Sequence, residues 1–94
     1  MLIKVKQLIV ENNGYKRDIT FKNIYINSTS IISIADYDGV REFLLQEDPR
    51  LGHTAYSLIK VSQGNRAEDI IAFGTADSIY SELNKPVGSK LLND

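Results

Sequence analysis

The sequence predicts an α+β fold: a mainly antiparallel β-sheet, or a small open barrel of about five to six strands, with one C-terminal helix. Short runs rich in β-branched residues alternate with glycine-containing turns, as at Asn12-Asn13-Gly14 and Gln63-Gly64-Asn65. Near the C-terminus the apolar spacing changes to the helical period. The residues at this spacing are Ala76, Ile79, Tyr80 and Leu83.

Residues 2–10 and 16–26 are predicted to pair as a first hairpin. A three-residue loop with Gly14 in the left-handed conformation would pair Glu11 with Tyr15. A two-residue loop would mix lysine and apolar side chains on both faces, so the longer loop is favoured. The longer loop places the apolar side chains of Ile3, Val5, Ile9, Ile19 and Phe21 on one face. The opposite face then carries Lys4, Lys6, Lys16 and Lys22.

The second predicted strand changes its apolar alternation near Asn23. Ile19 and Phe21 occupy odd positions, whereas Ile24 and Ile26 occupy even ones. We expect a bulge or a sharp bend at this point, because an inserted residue exchanges the faces of a strand.

The middle of the chain is less regular. Residues 31–35 predict a third strand after the turn at Ser28-Thr29-Ser30. Asp38-Gly39 is typical of a hairpin turn, and residues 40–45 would be the returning strand, although the same residues also fit a helical turn. Residues 46–54 are polar, contain Pro49, and predict the longest loop.

The last predicted hairpin joins residues 56–61 to residues 67–73 and places Lys60 opposite Glu68. Thr75 or Asp77 is expected to cap the C-terminal helix, which Pro86 would stop. These boundaries predict a single β-rich domain over residues 1–85 and a flexible C-terminal tail over residues 86–94.

The composition excludes several kinds of site. The 94 residues include no cysteine, so neither a disulfide nor a thiolate nucleophile is available. A net charge of −1 argues against a dedicated polyanion-binding protein, although residues 1–30 carry five Lys or Arg against two acidic residues. The N-terminal run lacks a signal-peptide pattern and no stretch is long enough to span a membrane, so we expect a cytoplasmic protein.

A longer segment resembles a known family. It comprises Ile26-Asn27 with Ile31 and Ile34, residues 56–61 with their glycine turn, residues 70–73, and the helix after Thr75. This order of strands, turn and helix is similar to the FlbD-like flagellar and swarming-motility proteins and to short phage proteins. The resemblance implies a compact β-sheet-plus-helix binding module without catalytic residues. Residues 37–54 and the longer first hairpin depart from the family pattern.

Candidate catalytic groups are few. His53 is the only histidine and lies in a polar segment near Arg50, where a solvated loop residue is the expected role. Asp36-x-Asp38-Gly39 lacks the later ligands of a calcium loop and favours a turn. Glu68-Asp69 favours an exposed strand face rather than acid–base catalysis. We therefore expect no enzyme activity and no cofactor.

The leading hypothesis is a non-catalytic regulatory module that binds a protein partner and also self-associates through exposed strand edges. The frequent Ile, Asn, Lys and Tyr residues suit an AT-rich coding sequence, such as many bacterial viruses have. The module is therefore expected to be phage-encoded and to act on a host factor. The alternative is a small nucleic-acid- or nucleotide-binding barrel that uses the lysines of the first hairpin. The candidate binding residues are Lys4, Lys6, Lys16, Lys22, Tyr25, Arg50 and His53.

Overall fold

The computed structural model describes residues 1–84 and confirms the α+β fold class with an open five-stranded antiparallel sheet. The strands are β1 (Leu2–Asn13), β2 (Lys16–Asn27), β3 (Ile31–Asp36), β4 (Tyr56–Gln63) and β5 (Arg66–Phe73). The helices are α1 (Arg41–Glu47), α2 (Pro49–Gly52) and α3 (Ala76–Leu83). The strand order is β2-β1-β5-β4-β3. Pro86 and the predicted tail over residues 86–94 lie outside the described residues.

The first hairpin forms, but its predicted register is wrong. Asn13 pairs with Lys16 across a two-residue turn, and Glu11 pairs with Asp18 rather than with Tyr15. Gly14 opens this turn with a φ of 65°, and Tyr15 does not have a positive φ, which is the pattern of a type II′ turn. The two-residue turn matches the twist of the strands better than the longer loop does.

The predicted bulge at Asn23 is also absent, because the β1–β2 ladder runs without a break from Leu2 opposite Asn27 to Asn13 opposite Lys16. The change in apolar alternation has a different cause, which is that the hairpin contributes to two hydrophobic cores on opposite faces of the sheet. Val5 lies opposite Ile24 and belongs to one core. Three residues later, Leu8 lies opposite Phe21 and belongs to the other.

The first core lies on the face that α3 covers, called here the α3 face. Ile59 and Ala72 are fully buried there, and Ile79 of α3 is 5% exposed. Leu83 and Ile34 pack around this core as partly buried residues. The predicted helix thus exists and packs Ile79 and Leu83 against the sheet, which a helix this short needs for its stability. Tyr80, which the helical spacing placed on the same stripe, is exposed.

The second core lies on the opposite face, called here the α1 face. Leu8, Leu44 and Tyr56 are its buried members. Residues 41–47 form α1, which buries Leu44 in this core, so the returning strand predicted over residues 40–45 is wrong and the alternative helical turn is confirmed. The predicted loop over residues 46–54 contains α2, whose N-terminus Asp48 caps by accepting a hydrogen bond from the backbone N–H of Arg50 at 3.1 Å.

The second hairpin agrees with the sequence analysis except for its register. β4 and β5 meet at a two-residue turn in which Gly64 has a φ of 61°. Lys60 lies opposite Asp69 rather than Glu68, which is opposite Val61. The predicted pair was one residue off because the turn was assigned three residues instead of two.

Two side chains fix the start of α3. Thr75 is the N-cap, as predicted, and its hydroxyl accepts a hydrogen bond from the backbone N–H of Ser78 at 3.1 Å. Asp36, at the end of β3, accepts a second one from the backbone N–H of Ala76 at 2.8 Å. Asp36 therefore connects β3 to the helix, because it satisfies one of the amide groups that a helix leaves unpaired at its start.

The end of the first hairpin extends beyond both cores. Every residue from Glu11 to Asp18 is exposed, and the molecule measures 50 Å along its longest axis and 21 Å along its shortest. We call residues 11–18 the arm. None of its side chains is buried, but the guanidinium of Arg17 lies 5.1 Å from the ring centroid of Phe43, beside the second core. The arm therefore depends for its shape on this contact and on the ladder that begins inside the cores.

We expect Ile79→Ala to lower the free energy of unfolding by about 2–5 kcal/mol, the usual cost of truncating a buried aliphatic side chain. Tyr80→Ala is the matched control, since Tyr80 is the next residue of α3 and is 61% exposed. It should change stability by less than about 0.5 kcal/mol. Urea denaturation of both variants measures the difference, and equal losses would show that α3 does not cover the core.

Candidate binding surface

The four lysines of the first hairpin do not share a face, contrary to the sequence-based expectation. Lys4 and Lys6 lie on the α1 face, because they alternate with the buried Ile3 and Val5 of the α3 face. Lys22 lies opposite Gln7 and Lys16 lies opposite Asn13, which places both on the α3 face. The observed turn separates the pairs, since the partner of Glu11 moves by three residues, from Tyr15 to Asp18, and an odd shift exchanges the faces of β2 relative to β1.

The structure instead groups two of these lysines with aromatic residues. Lys4 lies directly opposite Tyr25 in the β1–β2 ladder. The ammonium nitrogen of Lys6 lies 5.8 Å from the ring centroid of Phe73, a cation–π distance. We call this group the lysine–aromatic surface. Its members are Leu2, Lys4, Lys6, Tyr25 and Phe73.

The apolar members of this surface are unusually open to solvent. Leu2 is 64% exposed, Tyr25 is 65% exposed and Phe73 is 46% exposed. The second core, under α1 and α2, occupies the other part of the α1 face, around Leu8 and Tyr56. Adjacent exposed apolar side chains mark interaction sites more often than single ones do.

Two aromatic side chains on the same face of the sheet contact the ring of Phe73. Its ring makes edge-to-face contacts with Phe21 at a centroid distance of 6.2 Å and with Tyr56 at 6.1 Å. Such contacts stabilise ring pairs beyond their burial alone. Phe73 therefore presents a fixed ring to solvent, and little conformational entropy remains to be lost when a partner binds.

A small cavity of about 180 Å³ adjoins the lysine–aromatic surface. Lys4, Lys6 and Phe73 line it on the sheet side, and Ser78 and Glu82 of α3 line it on the other. Glu82 brings one negative charge to the α3 side of this cavity.

A larger cavity of about 480 Å³ lies between β3, α1, α2 and the start of α3. His53 and Arg41 line it together with Asp38 and Tyr56. His53 is exposed at the C-terminal end of α2, where its backbone N–H donates a hydrogen bond to the carbonyl of Leu51, and within residues 1–84 its imidazole forms no hydrogen bond.

Arg50 is separate from both cavities. Its guanidinium pairs with the carboxylate of Asp48 at 3.2 Å and its side chain is 90% exposed. The side-chain hydrogen bond from Arg50 holds the pKa of Asp48 below its usual range. This pair lies at the N-terminus of α2 and does not contact the other candidate residues. Of the predicted binding residues, the structure groups Lys4, Lys6 and Tyr25, and it places Arg50 and His53 elsewhere.

The acidic side chains of the two sequence motifs lie at the start of α3 and on the two faces of β5. Asp36 is bound to the backbone of α3, and Glu68 and Asp69 alternate along β5, so that they lie on opposite faces. Among the residues that the structure describes, no three His, Asp or Glu side chains are grouped to hold a metal ion. In the same part of the chain, no helix has the length and apolar character needed to cross a bilayer.

Leu2 and Phe73 are members of this surface that were not predicted from the sequence. A usable signal existed at Phe73, because residues 70–73 are apolar at both odd and even positions, which is typical of a strand with apolar surroundings on both faces. Its proximity to Lys6 could not be inferred, since β1 and β5 are distant in sequence and are bridged through a single pair, Gln7 with Ala72.

No protein-family model matches the chain, and neither a curated protein nor a solved structure is significantly similar to it. The resemblance to FlbD-like proteins thus stays a prediction.

Stability should fall at high pH because of Tyr56, which is 5% exposed in the second core. Burial raises the pKa of its hydroxyl. Above pH about 10 the unfolded chain loses this proton while the folded chain retains it, so the free energy of unfolding decreases. Urea denaturation between neutral pH and strong alkali should show a smaller decrease for Tyr56→Phe.

Tyr15→Phe is the control for this titration, because Tyr15 is fully exposed at the end of the arm. It should retain the pH dependence of the wild type. An unchanged profile in Tyr56→Phe would instead assign the alkaline loss to other groups.

Proposed function

We propose that the chain is a non-catalytic interaction module whose lysine–aromatic surface binds a protein segment that carries both acidic and apolar side chains. The main observation is the pairing of two exposed lysines with fixed or exposed aromatic rings on one face of the sheet. Tyrosine and other aromatic side chains supply much of the binding energy at protein interfaces. Lysines at the rim favour an acidic partner and accelerate its encounter.

The geometry of the surface supports this class of partner over a small substrate. Tyr25 and Phe73 present apolar area that a partner's apolar side chain would cover, and Lys4 lies beside Tyr25 to pair with a carboxylate. His53 has no hydrogen-bonded catalytic partner in the described part of the chain. A binding role uses the aromatic and lysine side chains that this surface exposes.

One observation favours a second candidate, the binding of single-stranded nucleic acid. Lys6 lies over the ring of Phe73, and Tyr25 offers another exposed ring on the same surface. Bases stack on such rings while lysines contact phosphates. The net charge of −1 weighs against this candidate, since nucleic-acid-binding domains usually carry a clear basic excess.

The test is a titration of the isotopically labelled protein with two probes, monitored by NMR chemical shifts. One probe is a synthetic peptide that alternates glutamate with leucine and phenylalanine, and the other is oligothymidylate. We expect the peptide to shift the amides of Lys4, Tyr25 and Phe73. Shifts with oligothymidylate alone, weakened by added salt, would favour the second candidate.

Alanine variants should show which side chains contribute to the free energy of peptide binding. Tyr25→Ala is expected to weaken peptide binding at least about tenfold, the effect of losing an aromatic side chain at an interface centre. Tyr15→Ala removes an exposed tyrosine from the arm and should leave binding unchanged.

Lys4→Glu should also weaken peptide binding, because it places a negative charge against the acidic probe. Lys60→Glu makes the same charge change elsewhere on the sheet and serves as its control. If Tyr25→Ala and Tyr15→Ala bind equally well, the proposed surface is wrong.

A further inference from the structure

The outer edge of β2 is the longest unpaired strand edge among the described residues. β2 has one neighbour, β1, and its ladder contains neither a bulge nor a proline. At its C-terminal end, residues 24–27 line a cleft with Val61 and Gln63, so residues 16–23 form the more open part. The other edge strand, β3, is short and has a register irregularity after Ile31, a feature that discourages edge pairing.

Charges along this open edge are unfavourably placed within one chain. Glu11 and Asp18 lie directly opposite each other, and like charges in that position destabilise a sheet. Asp18 accepts a hydrogen bond from the side chain of Asn13 at 2.7 Å. Across residues 1–84 no lysine or arginine nitrogen lies within 4 Å of its carboxylate. A cation from outside the chain would relieve this repulsion.

We propose that a second copy of this chain pairs with β2 through its own β2, antiparallel, about a two-fold axis that passes beside Thr20. In this register Asp18 of each copy lies opposite Lys22 of the other, on the α3 face. Ile19 lies opposite Phe21 of the second copy, on the α1 face. Asp18 gains a cation and Ile19 meets Phe21, and both are cross-strand pairs that stabilise a sheet. At the ends of the paired segment, Lys16 lies opposite Ile24.

Neighbouring registers lack this complementarity. An axis at Ile19 would place Lys16 opposite Lys22 of the second copy, and an axis at Phe21 would leave Asp18 opposite Ile24. An axis between two residues would set odd positions against even ones and so oppose side chains that point to different faces. The axis at Thr20 pairs Asp18 with Lys22 while keeping both faces aligned.

Charge-swap variants test the proposal by analytical ultracentrifugation at tens of micromolar protein. The wild type should sediment as a dimer. Asp18→Lys and Lys22→Glu should each weaken dimerisation by more than about tenfold, because every substitution creates two symmetry-related like-charge pairs. An equimolar mixture of the two variants should recover the dimer, since opposite charges then meet at both sites.

Three results would overturn the proposal: a monomeric wild type, single variants that remain dimeric, or a mixture that stays monomeric. Circular dichroism melting of each variant shows that a change of mass is not unfolding. Glu68→Lys reverses a charge on the second hairpin and should leave the dimer intact, so its dissociation would move the interface to β5. Lys4→Glu changes the proposed binding surface but lies on β1, away from the outer edge of β2, so it should not alter the mass and keeps this test independent of the proposed binding function.

Discussion

The β1–β2 register is the constraint on which the rest of the structure depends. The same hairpin supplies Ile3, Val5, Ile24 and Ile26 to one core and Leu8 and Phe21 to the other. A slip of one residue would move every side chain to the opposite face and would expose both sets at once. Two separate cores thus select a single register, which explains why the ladder runs over its full length without a bulge.

The two cores also hold the halves of the sheet together. β1 meets β5 at only one bridged pair, whereas β4 and β5 pair along their whole length. Side chains compensate for the sparse backbone pairing, because Ile79 packs beneath β1 and β5 on one face and Leu44 packs against Leu8 and Tyr56 on the other. Hydrophobic burial on both faces, rather than the ladder, therefore carries much of the link between the first hairpin and the remaining strands.

Local chemistry in the sequence was enough for the fold class, the two hairpins, β3 and the Thr75-capped helix. Glycine turns and alternating apolar residues are local signals, and the structure retains them. The register of the first hairpin was missed because only one buried face was assumed, and the alternation at Asn23 was then attributed to a bulge. Residues 40–47 could not be assigned, since burial of Leu44 against distant strands decides their conformation.

The same limits apply to the candidate surface. Lys4, Lys6 and Tyr25 were named from the sequence, and their proximity follows from pairing within one hairpin. Phe73 required the β1–β5 contact, which links residues far apart in the chain. Lys16 and Lys22 were grouped with the wrong face because the turn contained one residue fewer than expected.

The division of the first hairpin between cores and solvent has a consequence for how such a chain can change during evolution. Between Ile3 and Leu8 a single-residue deletion would exchange the inner and outer side chains of β1, so length changes there should be eliminated by selection. Residues 11–18 bury no side chain, and insertions or deletions at the turn leave both cores intact. Divergence in length should therefore concentrate in the arm, and foreign peptides should be accommodated at Gly14–Tyr15 without loss of the fold.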